Sequence, residues 1–458
     1  MTSIQTKART RRVGPWAWQV AAALVLTACN TSSLLDVNTP DQITPIAAAS
    51  PAGAAAIRAA AIGNFANFFA GDPSGGSPVG MNMYSGIFAD EIISSRGGTE
   101  HLDQRAQNDN LFPSTSWNVV GTASTQIIRA IKALNMYVAA SASRNTQVGE
   151  LYAKEGFLMT ITAEIFCNGV PIANADDANP VTESLSNVVL YTRALAQFDS
   201  ALAVLSPTAA GDLTYRYMAR VGKARALTNL NKYPQAVAVL GAGGDGAGSA
   251  AIPSSFVYNT DYGTVSIVNT MYDWMVATPN FGAADKEGGN GLDFLSSGDP
   301  RVKAAKTTVA GQDGTRIFTS LMYPLPTSPV PLATGTEARL IEAEALLAAG
   351  DATGWLNGLN ALRASFTGAP ALAPLADPGT NDARVNLMFR ERGFWLYMTA
   401  HRVGDLRRLS RQYGRAAETI WPTGAYFKGG VYGTDVALKP SQAEQNNGAW
   451  KACTDRNP

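Results

Sequence analysis

The sequence predicts a mainly α-helical protein with an irregular, loop-rich region set between helical hairpins. Two observations lead to this fold class. Apolar residues recur at helical intervals over several long stretches, whereas residues 241–330 are rich in Gly, Pro, Asn, Asp and aromatic residues. In addition, 458 residues with 46% hydrophobic content are enough to bury a large core.

The first 28 residues have the layout of a secretory signal peptide. Four basic residues precede a nearly uncharged run over 13–28, which is the order that such a signal requires: Lys7, Arg9, Arg11 and Arg12. A transmembrane helix is the alternative, but it needs roughly 20 apolar residues, and this run is shorter. Leu26-Thr27-Ala28-Cys29 resembles the bacterial lipobox, so we expect the mature chain to begin at a lipid-modified Cys29. Residues 29–45 are polar and turn-rich, as expected of a leash.

The charge balance excludes one class of partner. Removing the predicted signal peptide leaves 32 basic against 36 acidic residues, so the mature chain is mildly acidic. A nucleic-acid-binding protein would show clustered Lys and Arg with a high pI. We therefore expect no nucleic-acid partner.

Helices are predicted in chain order from apolar spacing and from helix-end residues. The predicted helices cover 54–69, 117–140 and 152–166, followed by an amphipathic helix with Leu195, Phe198, Leu202 and Leu205 on one face. Residues 217–240 form a hairpin in which Tyr217, Val221, Ala224 and Leu227 share a face and Pro234 opens the second helix.

A second hairpin resembles the first. Residues 344–359 align with residues 225–240, and both resemble tetratricopeptide (TPR) units, although two unrelated hairpins are the alternative. Ala224, Ala226, Ala343 and Ala345 would let the helices approach closely. The adjoining layer would be filled by larger side chains, namely Trp355, Leu359 and Leu362.

The sequence contains little from which a metal site could be built. It has three cysteines and two histidines, without HExxH or CxxC spacing, so we expect no catalytic metal and no cofactor. With Cys29 modified by lipid, Cys167 and Cys453 are one possible disulfide pair, and a lone buried thiol at Cys167 is the other possibility.

Three further motifs are weak. Gly241 to Gly246 matches GxGxxG but follows a helix rather than a strand, so a flexible loop is the better interpretation. A cluster of oxygen ligands offers a calcium site, but its spacing is not that of an EF-hand and a solvated loop is favoured: Asp285, Glu287, Asn290 and Asp293. Glu342 and Glu344 should point to different helix faces. No nucleophile has a legible base beside it, so an enzyme is not predicted.

Residues 389–408 pack charged residues densely beside aromatics. We interpret them as a structural ion-pair network around a helix end rather than as a ligand site, because buried arginine normally marks paired carboxylates. The predicted members are Arg390, Glu391, Arg392, Arg402, Asp405 and Arg407, with Phe394, Trp395 and Tyr397 partly in the core.

The same segment resembles the C-terminal signature of the SusD/RagB family of outer-membrane nutrient-binding lipoproteins. Arg390, Arg392, Phe394, His401, Arg402 and Asp405-Leu-Arg-Arg408 match that signature, whereas the usual glutamate is replaced near Met398 and Thr399. Four further matches follow the family's order: Leu35 to Asn38, Ser297 to Arg301, Glu337 to Gly350, and Asn360 to Arg363. The resemblance implies one SusD-like domain over residues 46–458, with TPR-like helices near 191–240 and 337–363.

The resemblance also implies a function. A SusD-like protein is a non-enzymatic lipoprotein, anchored in the outer membrane and facing the cell exterior, that captures oligosaccharides, or less often peptides. It delivers them to a SusC-like TonB-dependent β-barrel transporter. The alternatives are a TPR-type scaffold for envelope assembly without a small-molecule ligand, and an all-helical glycosidase with two carboxylates across a cleft.

Aromatic residues in the irregular regions are the expected ligand contacts, because sugar C–H groups pack against rings. The leading candidates are Trp274, Tyr272, Phe281, Trp117 and Tyr84. A second aromatic tract over 421–433, with Tyr426, Phe427 and Tyr432, is a further candidate recognition surface.

Overall fold

Helices make up most of the regular structure of this protein. The computed structural model describes residues 48–71, 79–108, 114–172, 184–246, 249–264, 267–446, 448 and 450. The predicted signal peptide, Cys29, the leash, the motif at Leu35 and Cys453 lie outside the described residues. Residues from Ala49 onward belong to one structural unit.

The helices are numbered α1 to α14 along the described chain. Eight of them precede the irregular region: α1 Pro51–Ala70, α2 Met81–Phe88, α3 Glu100–Asp103, α4 Ser114–Tyr137, α5 Ala142–Ile165, α6 Asn187–Val204, α7 Ala210–Asn229 and α8 Tyr233–Leu240. Six more follow or lie within it: α9 Thr270–Tyr272, α10 Gly335–Ala348, α11 Ala352–Ala364, α12 Asn381–Trp395, α13 Arg402–Tyr413 and α14 Gln442–Gln445. In the described ranges, no helix has the length and apolar content needed to cross a bilayer.

Local capping fixes where several helices begin. The Ser50 and Ser141 hydroxyls accept hydrogen bonds from the first-turn backbone N–H groups of α1 and α5, at 3.0 and 3.2 Å. Thr334 caps α10 in the same way through Glu337 N–H, at 3.0 Å. A side-chain oxygen satisfies an N–H that has no partner within the helix. The cap at Ser141 also explains why α5 begins ten residues before the predicted Tyr152.

Successive helices pack as antiparallel hairpins, and two glycines set their spacing. Helix α5 packs along both α4 and α6, and α7 packs on α5 and α6. The Phe198 ring of α6 lies directly over Gly156 and Gly222, where an added Cβ would come within 2.6 and 2.4 Å of it. Phe198 also meets Phe157 edge-on, at 5.4 Å between ring centres. The close approach depends on residues without side chains.

The two TPR-like hairpins form as predicted and pack against each other. Helices α7 and α8 form one hairpin, α10 and α11 the other, and α8 packs on α10. Ala224, Ala226 and Ala343 are buried at these contacts, and Trp355 and Leu359 are fully buried beside them. Ala345 is only partly buried, because it faces a groove.

Short antiparallel strands occur in the irregular region, where the sequence predicted loops, and at a few places before it. Strands β1 Ile92–Ser94, β5 Phe281–Ala283, β7 Arg316–Ser320 and β6 Ala304–Ala310 form a sheet in that spatial order. Two strand pairs lie outside it: β2 Val170–Pro171 with β3 Ser184–Leu185, and β4 Val257–Thr260 with β8 Val330–Thr334. Strand β8 ends at the cap of α10, so the irregular region is tied to the helical part at that point.

The charged segment 389–408 forms the predicted structural network. Arg392 pairs with Asp405 through two hydrogen bonds of 2.9 and 2.8 Å, and Arg408 bridges Asp405 and Glu344 at 2.7 Å each. All four side chains are buried. Paired burial of this kind removes the cost of an isolated buried charge. Glu342, in contrast, pairs with Arg339 nearer the surface, so the two glutamates do point to different faces.

The partners of the remaining network residues come from distant parts of the chain. Arg402 pairs with Asp90 at 2.5 and 2.7 Å, and Glu391 accepts from Arg301 and Arg363. The Arg407 guanidinium donates to three backbone carbonyls: those of Ala163, Glu164 and Phe166. These bonds hold the end of α5.

Cys167, at the end of α5, is buried and disulfide-bonded. Its partner lies outside the described residues, where Cys29 and Cys453 are the two remaining cysteines. Of the two possibilities that the sequence left open, the lone thiol is therefore wrong.

Candidate functional site

Two concave surfaces lie in the irregular region. The first, which we call the Phe427 cleft, has a volume of about 640 Å³. Its lining comes from the sheet and from both aromatic-rich tracts of the sequence. The lining residues include Ile93, Ala283, Arg316 and Phe318 from the sheet, together with Lys286, Thr423, Phe427 and Tyr432. The two tracts that the sequence marked as recognition surfaces thus meet in one cleft.

Close backbone contacts hold the two tracts together. Gly288 has φ +56°, and an added Cβ there would lie 2.4 Å from Thr423 N. Thr423 N–H donates to Gly288 O at 3.3 Å. The Asn290 amide donates to the Glu418 and Trp421 carbonyls at 2.7 and 3.0 Å. A glycine is needed at position 288 both for the left-handed conformation and for the approach.

Phe427 is the aromatic ring most open to the cleft. Its side chain is 46% exposed, while Tyr426 behind it is buried and lies 4.6 Å away between ring centres. Tyr426 in turn meets Tyr432 edge-on, at 5.2 Å. A ring supported from behind and open in front can pack against the apolar face of a sugar.

A buried acid pair lies beneath the cleft. Tyr432 donates to Glu287 at 3.0 Å, and Tyr426 donates to Asp103 at 3.1 Å. Burial raises the pKa of Asp103 to about 6. Burial and the neighbouring Asp103 carboxyl raise the pKa of Glu287 well above its usual range. Protonation of Glu287 is therefore favoured, because two adjacent buried carboxylates repel each other.

The second concave surface, the Trp274 pocket, has a volume of about 430 Å³. Trp274 and Arg96 lie at its centre, with the Arg96 guanidinium 4.0 Å from the centre of the indole ring. Phe281 packs on the same indole at 6.1 Å. Polar side chains also line the pocket, among them Asp273, Asn280 and Gln312.

The two concave surfaces flank the turn between β6 and β7. Gly311 and Gln312 line the Trp274 pocket, and Arg316 lines the Phe427 cleft. The turn is fixed by Gln312 N–H donating to Ser95 Oγ at 3.1 Å and by Lys428, which pairs with Asp313 at 2.5 Å. Lys428 directly follows Phe427, so the segment that contributes a ring to the Phe427 cleft also contacts the turn beside the Trp274 pocket.

The five aromatic residues predicted to contact a ligand differ in exposure and in position. Phe281, Trp117 and Tyr84 are at most 4% exposed, so they have core positions and no free ring surface. Tyr272 is half-buried and lines neither concave surface. Trp274 alone lines one, and there its ring is covered by Arg96.

The acidic residues of the proposed calcium cluster have separate roles. Asp285 accepts from Leu295 N–H and Ser296 N–H, at 2.9 Å each, and Asp293 pairs with Arg390. Glu287 belongs to the acid pair. The segment is a loop in which Asp285, Asn290 and Asp293 are partly exposed, as the favoured interpretation expected, whereas Glu287 is buried.

A third concave surface lies between the TPR-like hairpins. This groove has a volume of about 610 Å³ and runs between α8 and α10. It is largely apolar, and is lined chiefly by Pro234, Val237, Ala345, Leu346 and Ala349. We call it the hairpin groove.

Solved structures share this architecture. A SusD superfamily protein from Bacteroides fragilis is similar with a TM-score of 0.64 and 14% identity, covering 88% of this chain and 98% of its own. A SusD superfamily protein from Bacteroides thetaiotaomicron is similar with a TM-score of 0.61 and 16% identity, and the match covers 89% of this chain and 95% of that protein. A SusD-like carbohydrate binding protein from Bacteroides vulgatus is similar with a TM-score of 0.58 and 15% identity, and the match covers 77% of this chain and 83% of that protein.

Comparison of sequences alone gives no match, either to a protein-family model or to a curated protein. The fold likeness nevertheless extends over most of the chain. The chain therefore has the SusD-like fold.

Proposed function

We propose that this protein binds oligosaccharides at the cell surface and delivers them to a SusC-like TonB-dependent transporter. The Phe427 cleft is the observation that carries the proposal. It offers a supported, exposed ring beside hydrogen-bonding groups, which is the combination that sugar recognition requires. The fold shared with a SusD-like carbohydrate binding protein supports it.

The proposed role is binding without turnover. A glycosidase needs two carboxyl groups about 5 Å or more apart on either side of the bond that is cleaved. At the cleft, Glu287 and Asp103 instead lie buried beside each other beneath the surface, and Tyr432 and Tyr426 donate to these carboxyls. A glycan incubated with the protein should therefore be recovered uncut.

Replacing the exposed ring tests the proposal. Phe427→Ala should weaken binding of an oligosaccharide by about tenfold or more, because a buried aromatic anchor contributes about 2 kcal/mol. Titration calorimetry against a panel of plant and host oligosaccharides would measure it. Val188→Ala, which removes an exposed apolar side chain on α6 outside the cleft, is the matched control. Equal affinity of Phe427→Ala and the wild type would contradict the assignment.

We assign the transporter contact to the helical hairpins. The hairpin groove presents an apolar surface on rigid helices, which suits a protein partner. Ala345→Arg would fill the groove, and Ala238→Arg places the same side chain at an exposed position of α8 outside it. Only the first variant should lose co-purification with a barrel transporter, and neither should change oligosaccharide affinity.

The alternative role, a TPR-type scaffold for envelope assembly, also uses the hairpin groove. It predicts that the protein co-purifies with assembly proteins instead of a barrel, and that no oligosaccharide binds. Purification from membranes followed by mass spectrometry distinguishes the two roles.

A further inference from the structure

Arg96 faces the Trp274 pocket without a carboxylate partner. Its guanidinium stacks on the Trp274 ring at 4.0 Å, and in the described part of the chain no acidic side chain lies within ion-pair distance of it. Burial lowers the pKa of Arg96, and the nearby titratable hydroxyl of Tyr84 opposes this effect. An arginine remains protonated under these conditions, so the pocket contains an unneutralised positive charge.

Several buried arginines of this protein are paired with carboxylates. Arg225 pairs with Glu164 at 2.5 Å, Arg392 with Asp405 at 2.8 Å and Arg402 with Asp90 at 2.5 Å. Arg96 differs from them, because it is only partly buried and lies beside an open pocket without a described carboxylate. Its charge is therefore accessible to a partner that arrives from outside.

The Phe427 cleft contains two more cations of the same kind. Arg316 donates to the Thr308 hydroxyl and carbonyl, at 3.1 and 2.6 Å, and has no acidic partner in the described chain. Lys286 is exposed at the opposite wall and likewise makes no ion pair there. Both therefore keep their charge available to a ligand.

The carboxylates around these cations are mostly engaged. Asp285 accepts hydrogen bonds from two backbone N–H groups, and Glu287 is buried and accepts from Tyr432. Asp273, in the Trp274 pocket, is the one lining carboxylate without a described partner, and it is beyond ion-pair distance from Arg96. The pocket thus presents a donor group at Arg96 and an acceptor group at Asp273.

We propose that the ligand is an acidic oligosaccharide whose sugars carry carboxylates, and that Arg96 binds one of these carboxylates. The Trp274 ring holds the guanidinium face, so the in-plane N–H groups point outward in the fork that matches a carboxylate. Asp273 accepts hydrogen bonds from hydroxyls of the same sugar. Arg316 and Lys286, across the β6–β7 turn, meet further acidic sugars along the chain. The inference rests on the proposed function and names its substrate class.

The test compares matched ligands. Hexasaccharides of galacturonate, alginate and hyaluronan are titrated into the mature chain released from the membrane by Cys29→Ser, each beside its carboxyl-reduced, neutral counterpart. We expect at least one acidic hexasaccharide to bind about tenfold or more tightly than its reduced form, and the difference to shrink as salt increases. Sulfated galactan and a peptide mixture are included as the other sources of anionic groups.

Arg96→Gln should remove that preference by weakening binding of the acidic hexasaccharide more than binding of its reduced form. Arg193→Gln is the control, because it removes an exposed arginine of α6 that has no acidic partner among the described residues and lines neither surface. Equal binding of acidic and reduced hexasaccharides by the wild type would overturn the inference and leave the proposed function intact. So would tighter binding of sulfated galactan or peptide, or equal losses for both sugar forms in Arg96→Gln. If no saccharide binds at all, the proposed function fails as well.

Discussion

Glu287 and Asp103 place a proton-sharing pair beneath the loops that form the Phe427 cleft. The pKa of each carboxyl is raised by burial, so each favours folding most when it is protonated. Their contribution is complete below pH 4 or so, where both are also protonated in the unfolded chain. It is lost as the pH rises through about 6, the pKa of Asp103, and beyond.

Glu287→Gln should therefore stabilise the protein at high pH relative to the wild type. Glutamine donates to Asp103 and accepts from Tyr432 as protonated glutamate does, but it does not ionise. A pKa shift of one unit corresponds to about 1.4 kcal/mol, so the melting temperature difference should grow by about 2 °C or more between pH 5 and pH 9. Asp199→Asn, at a largely exposed ion pair, is the control. A difference independent of pH would contradict the shared proton.

Individual site residues were only partly predictable from the sequence. Trp274 and Phe281 both lie in the Gly-rich and aromatic-rich part of the sequence, yet Trp274 lines a pocket whereas Phe281 is fully buried. Exposure of an aromatic ring depends on what packs over it from elsewhere in the chain. Arg96, Lys286 and Arg316 were missed for a related reason, since the absence of a partner cannot be seen in a single sequence.

At the scale of helices, Gly222 shows how close packing depends on one missing side chain. Gly222→Ala would place a methyl group 2.4 Å from the Phe198 ring and 2.8 Å from Phe157. We expect a loss of about 1–3 kcal/mol in unfolding free energy from this overpacking. Gly121→Ala is the control, because nothing lies within 4 Å of its added methyl group in α4, and it should gain about 0.5–1 kcal/mol. Chemical denaturation measures both, and an unchanged Gly222→Ala would contradict the packing.

The helices were predictable because their signals are local. Apolar periodicity and capping residues lie within a few positions of each helix end, so α1 and α4 were placed to within three residues. The four-stranded sheet was not predictable. Ile93 pairs with Gly282, far along the chain, and β6 lacks a clear alternation of exposed and buried residues. The Phe427 cleft was not predictable for the same reason, because residues of those strands line it.

At the scale of the whole molecule, the N-terminal Cys29 is predicted to carry the lipid anchor, and the C-terminal Cys453 to form a disulfide with Cys167. Cys167 is disulfide-bonded, and if lipid occupies the Cys29 thiol, Cys453 is the remaining partner. Cys29→Ser should therefore release a folded protein from the membrane and leave the disulfide in place. Membrane fractionation and non-reducing peptide mapping check the two outcomes. A Cys29–Cys167 linkage in the wild type would contradict lipid attachment.

Hydrogen–deuterium exchange on the released protein, with and without the tightest-binding oligosaccharide of the panel, separates the proposed ligand surface from the proposed transporter surface. We predict slower exchange at residues 285–295 and 423–432, around the Phe427 cleft, and no change at 233–240 and 342–349, around the hairpin groove. Protection confined to the hairpin groove, or binding by no oligosaccharide, would contradict a ligand site built on the irregular region.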